Sequence, residues 1–257
     1  MDRMLLPDDL AMLMAGRAVT RDVIGCSQAG VFRLDGDGGP LWLKAGPEGG
    51  GLGHERQALV WLSGKLNVPQ VLHWSSRGGF EFLLMSDMPG EIACASAALD
   101  APLATIRLLA EGLKQLWAVD LASCPLDNRL GRKLEKAQRC IDLGLVDTSD
   151  WEPDTMHGSP EALLDWLIAH RPASEELCFT HGDYCLPNIF LKDGAVSGFI
   201  DMGNAGLADR WQDIALCVRS LHHNFHTDDY DGYLFYCLGI KPDWEKIRYY
   251  ILLDELF

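Results

Sequence analysis

The hydrophobic pattern of this chain changes period once, and the change coincides with a break. Before residue 86, apolar residues come in short runs rich in β-branched and aromatic side chains. These are VTRDVIG and AGVFRLD, with a Gly25–Gly30 turn between them, then LWLKA and FEFLLM (80–85). DGDGGP (35–40) between two of these runs is a hairpin signal. His54 to Leu66 reads as a helix. SDMPGE (86–91) then interrupts the pattern with a proline and a glycine. From Pro102 the period becomes helical, with Leu103, Ile106, Ala110, Leu113 and Trp117 on one stripe. LCFTHGD, NIFLKDG and VSGFID are short apolar segments separated by turns. Trp211, Ile214, Ala215 and Val218 mark another helix with Asp209 as its N-cap. A last helix runs from about Trp244 toward Phe257. Strands, a break, and then mostly helices around one small hairpin call for an α+β, two-lobed plan. The expected division is a β-rich lobe over 1–85, a hinge over 86–90 and a mainly helical lobe over 91–257.

A chain of 257 residues, 48% of them apolar, is long enough to bury a sizeable core. It contains no run of about 18 apolar residues, the length that spans a bilayer. Its start, MDRMLLPDDLAMLMAGR, lacks the basic region and cleavage site of a signal peptide. None of the eight cysteines forms a C-x-x-C pair, so they read as reduced, packed thiols of a cytoplasmic protein. The net charge is −15 and unevenly spread. Residues 1–85 hold 8 Lys+Arg and 9 Asp+Glu; residues 86–257 hold 14 and 28. Seven acids and no Lys or Arg fall between residues 140 and 170. Such a surface disfavours nucleic acid and favours a cationic ligand. Neither a membrane nor an obligate protein partner is indicated.

The densest chemical signal is His181-Gly182-Asp183-Tyr184-Cys185-Leu186-Pro187-Asn188, followed by Gly198-Phe199-Ile200-Asp201. Phosphoryl transfer needs one carboxylate to orient a hydroxyl and accept its proton. It also needs an amide oxygen and a second carboxylate to hold Mg²⁺ against phosphates. The spacing H-x-D-x-x-x-x-N…D is that of a kinase catalytic loop and metal-binding strand, with Asp183 in the first role and Asn188 and Asp201 in the others. Upstream, Lys44 ends LWLK and Glu55 lies on the next helix, the pairing that kinases use to hold the α/β-phosphates of ATP. The Gly25–Gly30 turn could lie over the phosphates, with Ser27 donating a hydrogen bond. Neither a Walker A loop nor G-x-G-x-x-G is present, since Leu66 follows Gly64-Lys65.

The stretch THGDYCLPNIF…SGFIDMGNAGLADRWQDIAL (180–216) resembles the core motif of the aminoglycoside 3′-phosphotransferases. IGCSQAGVFRL (24–34), ERQALVWL (55–62), CPLD (124–127), GLVD (144–147) and LLDELF (252–257) are similar to sequence of the same family, so the resemblance covers essentially the whole chain. It implies a protein-kinase-like fold and Mg²⁺-ATP-dependent phosphorylation of an aminoglycoside hydroxyl, conferring antibiotic resistance. It implies Asp183 as base, Asn188 and Asp201 as metal ligands, and Lys44 on the phosphates, held by Glu55. Trp42 would stack on adenine, and backbone groups of Ser86 and Met88 would bind its edge. Asp150, Glu152 and Asp154 would be the loop acids that meet drug amines. Asp254, Glu255 and the carboxylate of Phe257 would form a terminal cluster, and Arg219 would be a further substrate-binding residue. Independently, acids at a helix C-terminus oppose the helix dipole, a placement that a bound cation would relieve.

The chain also departs from the family pattern: Asn204 stands for an arginine, Ser220 for an acid after Arg219, and Trp117 for a histidine. Two other readings share the same motifs, a kinase for a different hydroxyl substrate and a non-catalytic nucleotide-binding module. The presence of Lys44, Asp183, Asn188 and Asp201 argues against the module. The acidic loop and LLDELF favour the aminoglycoside reading over the other kinase.

Overall fold

Period-two alternation along the early apolar runs sorts their side chains onto two faces of one sheet. The computed structural model describes residues 6–22, 29–149, 151 and 158–257. Helix α1 (Asp8–Met14) precedes strands β1 (Ala18–Asp22), β2 (Gly30–Asp35) and β3 (Leu41–Pro47). Helix α2 (Leu52–Leu62), β4 (Val71–Arg77) and β5 (Phe80–Ser86) follow. The strands form one antiparallel sheet in the order β1–β2–β3–β5–β4. On one face, Leu34, Leu43, Phe82 and Leu84 pack with Leu6, Leu10 and Met14. Each such buried side chain contributes about 1.5–3 kcal/mol, enough to hold a helix too short to persist alone. Lys44 and Leu83, paired across β3 and β5, project from the other face, on the side of α2. There Ala58, Leu59 and Leu62 are buried.

Two expectations shift here. The helix expected over 54–66 starts at Leu52 and stops at Leu62, with Gly64 in the left-handed region (φ +78°) just beyond its end. Strand β4 was not expected. It is an edge strand of half-buried and exposed residues, so it lacks a clean apolar alternation.

After the break come β6 (Glu91–Ile92), α3 (Ser96–Leu99), α4 (Pro102–Trp117), α5 (Leu130–Asp142) and α6 (Pro160–Ala169). Strands β7 (Leu177–Thr180), β8 (Ile189–Lys192), β9 (Ala195–Phe199) and β10 (Gly206–Asp209) lead to α7 (Arg210–Phe225), α8 (Asp231–Leu238) and α9 (Trp244–Asp254). Pro102 takes the first helical position, where its missing N–H costs nothing. The α4 stripe buries Ile106, Ala110 and Leu113 as expected, but Leu103 is 52% exposed and Leu109 and Leu116 are buried instead. Helix α6 is capped by Ser159, whose Oγ accepts from Ala162 N at 3.2 Å. Asp209 caps α7, accepting from Trp211 N at 3.3 Å. Its other oxygen accepts from Lys246 Nζ (2.9 Å) and Tyr250 Oη (3.0 Å), which fastens α9 to the start of α7.

The chain makes two compact units, Met1–Gly90 with Ser197–Asn204, and Glu91–Val196 with Ala205–Phe257. The first is β-rich and the second mainly helical, the expected α+β class. The segment 197–204 is bound into the first unit. Phe199 N donates to Asn67 O (3.0 Å) and Ser197 Oγ to Pro89 O (2.6 Å). At Gly198 a Cβ would lie 1.9 Å from the Met88 methyl and 2.8 Å from the Asn67 carbonyl, so only glycine fits without a shift. Among the described residues no helix is long and apolar enough to cross a membrane.

Candidate active site

In the first unit, the alternation of β3 directs Lys44 toward the first turn of α2, where Glu55 waits. Lys44 Nζ donates to both oxygens of Glu55 (2.7 and 2.9 Å) and lies 3.0 Å from Asp201 Oδ1. Burial would lower the Lys44 pKa, but the Glu55 and Asp201 carboxylates outweigh it and hold the ammonium up at about 12. A buried cation that stays charged is what an anionic phosphate requires. Asp201 follows β9 with φ +57°, a backbone state rare for a residue with a side chain, and its carboxylate remains 44% exposed. The expected adenine residues are in the same unit. Trp42, half-buried on β3, donates from Nε1 to Asp87 Oδ1 (2.7 Å). The Ser86 N–H is donated to Gln70 O (3.0 Å). The Met88 side chain is buried.

In the second unit, β7 delivers the loop that begins at His181. Asp213 of α7, fully buried, accepts from His181 N (2.7 Å) and Gly182 N (2.8 Å), and Gln212 Nε2 donates to Gly182 O (2.9 Å). Tyr184 Oη reaches Leu109 O on α4 (2.7 Å), and Leu186 N donates to Ser220 Oγ (3.0 Å). The loop is thus pinned on both sides of Asp183. Asn188 Nδ2 donates to Asp183 Oδ2 and to its carbonyl, both at 3.0 Å. Cys185 Sγ donates to Asp183 Oδ1 at 3.1 Å. Burial, and after it the Asp183 charge, push the Cys185 thiol up, so it is a neutral donor.

The oxygen donors expected for Mg²⁺ fit its chemistry. Asp201 offers an accessible carboxylate, and the Asn188 nitrogen is used on Asp183, which leaves its oxygen as the acceptor. Among the described residues no group of three or more His, Cys, Asp or Glu could hold a metal ion.

At the C-terminal end of the second unit, Arg219 donates to Asp254. Asp254 is therefore already paired with a cation. Trp151 donates from Nε1 to Glu255 O (3.0 Å), which ties residue 151 to the terminal turn. Lys133 Nζ and Lys136 Nζ lie 5.4 and 5.0 Å from the Phe257 ring centroid. Burial lowers the Lys133 pKa to about 8, against the pull of Asp254, Asp213 and Asp183. Ser27, Asp150, Glu152 and Asp154 lie outside the described residues.

Sequence reasoning did not single out Asp213, Gln212, Cys185 or Lys133. For Asp213 a signal existed: an acid inside WQDIAL, a run otherwise fit for a core. Ser220, singled out only as a departure from the family, anchors the loop through Leu186 N.

The model of the phosphotransferase enzyme family matches residues 19–250. An aminoglycoside 3′-phosphotransferase of Enterococcus faecalis is 41% identical over 266 aligned positions, covering 100% of both chains. The crystal structure of an aminoglycoside-3′-phosphotransferase of type VIII superposes with a TM-score of 0.86 at 33% identity, covering 97% of this chain and 98% of that one. The aminoglycoside phosphotransferase APH(3″)-Id from Streptomyces rimosus, in complex with ADP and streptomycin, superposes with a TM-score of 0.81 at 27% identity, covering 98% and 99%.

Proposed function

Because this chain belongs to the phosphotransferase enzyme family, we propose that it transfers the γ-phosphoryl group of ATP to the 3′-hydroxyl of an aminoglycoside, conferring resistance to the drug. The observation that carries the phosphoryl-transfer part is the buried Lys44 ammonium, bonded at 2.7 Å to Glu55 and 3.0 Å from Asp201. The full-length relatives named for 3′-phosphotransfer carry the substrate, and the acidity of residues 86–257 supports a polycationic one.

In this reading Lys44 binds the α/β-phosphates and Glu55 keeps it in place. Trp42 and the backbone of Ser86 and Met88 hold adenine, and Ser27 donates a hydrogen bond to a phosphate. Asp183 orients the drug hydroxyl and accepts its proton as the hydroxyl oxygen bonds to the γ-phosphorus and ADP departs. Asp201 and Asn188 would hold Mg²⁺, which neutralises charge between the β- and γ-phosphates when bound. Asp150, Glu152, Asp154, Glu255 and the Phe257 carboxylate receive drug amines, with Asp254 contributing through its pair with Arg219. Residues 86–90 are the connector between a nucleotide-binding lobe and a substrate-binding lobe. The reaction is assigned to the cytoplasm, where ATP is available and where the free thiols of the described cysteines stay reduced.

The test is ADP release with Mg²⁺-ATP and kanamycin, neomycin or a panel of neutral sugars. Drug-dependent ADP release with a phosphate on the 3′-oxygen is expected. Faster turnover of neutral sugars, or ADP release indifferent to the drug, would overturn the reading.

A further inference from the structure

A carboxylate that must take a proton in a set direction works best if it cannot rotate. Asp183 has a neighbour on each oxygen: the Asn188 amide on Oδ2 (3.0 Å) and the Cys185 thiol on Oδ1 (3.1 Å). One donor would leave the carboxylate free to swing about its Cβ–Cγ bond. Two donors fix its plane and leave on each oxygen a lone pair in a defined direction. The thiol is itself held. Leu186, next in the chain, is fully buried and its N–H is tied to Ser220 Oγ (3.0 Å). Ser220 is in turn bonded by Asn224 Nδ2, to its carbonyl at 2.8 Å and its hydroxyl at 3.4 Å. Cys185 N also donates to the Asp183 carbonyl (2.9 Å), so backbone and side chain of Cys185 both close on Asp183.

We infer that Cys185 is a positioning residue for phosphoryl transfer, which fixes the Asp183 carboxylate from the side opposite Asn188 by donating its S–H to Oδ1. The inference rests on the reading of Asp183 as the proton acceptor. Cys185 touches neither nucleotide nor drug in this assignment, so its effect falls on the chemical step and not on binding.

The experiment compares single-turnover rates and KM values for native enzyme, Cys185→Ala, Cys185→Ser and Asp183→Asn, using the aminoglycoside that the native enzyme turns over. Cys185→Ala should lower the single-turnover rate about three- to tenfold, the size of one modest hydrogen bond. Both KM values should stay within about twofold of native by the same reasoning, and Cys185→Ser, which keeps a donor, should recover most of the rate. An alanine variant as fast as native, while Asp183→Asn is inactive, overturns the positioning role and leaves the base assignment standing. Equal losses in alanine and serine variants overturn it in favour of packing. A fast Asp183→Asn enzyme overturns the base assignment itself. Should the alanine variant unfold, the infrared S–H stretch, isolated as native minus Cys185→Ser, decides. It should move to higher frequency in Asp183→Ala, and an unmoved band means the thiol does not donate to Asp183.

Discussion

Replacing Asp183 with Asn keeps the shape of the loop and removes the proton acceptor. Its kcat should fall about a hundredfold or more, as for loss of a general base, with the Kd for ATP nearly unchanged. Single-turnover kinetics and nucleotide titration check both halves. Lys44 allows a different test, because it sits in a buried pair with Glu55. Lys44→Ala leaves the Glu55 carboxylate buried without its cation, which should cost about 3–5 kcal/mol in urea unfolding. The pH dependence has a definite sign. The folded-state pKa of about 12 lies above the ordinary 10.5. The stabilisation is therefore complete below 10.5 and lost as pH rises through about 12. The native-minus-variant gap should shrink in strong base as Lys44 loses its proton, and should also narrow toward acid, because burial raises Glu55 and without Lys44 nothing holds its charge. These residues were legible in the sequence because a short loop and a hairpin fix their spacing. Asp213, Gln212 and Ser220 were not, because they reach the loop only after α7 folds back beside it.

Helices show where periodicity informs and where it fails. Helix α7 was legible from its apolar stripe and Asp209 cap. Helix α5 was not, since LGRKLEKAQRCID buries Leu130, Leu134 and Ala137 but also Lys133. That lysine makes α5 testable. Its folded pKa of about 8 is below 10.5, so its charge opposes folding fully below pH 8. The penalty is relieved as pH rises from about 8 to 10.5. Lys133→Met should stabilise the protein at pH 7, by about 3 kcal/mol at most, and its advantage should narrow through that window. Thermal melts from pH 7 to 10.5 would show it. The α7–α9 join behaves oppositely. Asp209→Ala removes the cap and strands Lys246, whose next carboxylate, Glu176, is 4.0 Å away. A loss of about 3–5 kcal/mol is expected, with Tm as the measurement.

Across the whole molecule, the excess acid is almost confined to residues 86–257. A drug with several ammonium groups should therefore lose affinity as salt rises. Near 1 M salt, where the Debye length is about 3 Å, its KM should be roughly tenfold above the low-salt value. A mono-amine analogue should change little, and equal salt responses would remove electrostatics from recognition. The two-part division read from the change of period misses one feature, that residues 197–204 fold with the first unit. No periodicity announces that Phe199 will bond Asn67, or that Gly198 must be bare where Met88 arrives. That return has a consequence for ancestry. A gene recombined once, near codon 90, would hand the partners Asn67, Met88 and Pro89 to one parent and 197–199 to the other. Hybrids with the Enterococcus faecalis relative should melt higher when the block 197–204 travels with the amino-terminal block than when a single crossover divides them. Inheritance in this fold would then require three crossovers, near codons 90, 197 and 204, with Asp201 carried beside the lysine it faces.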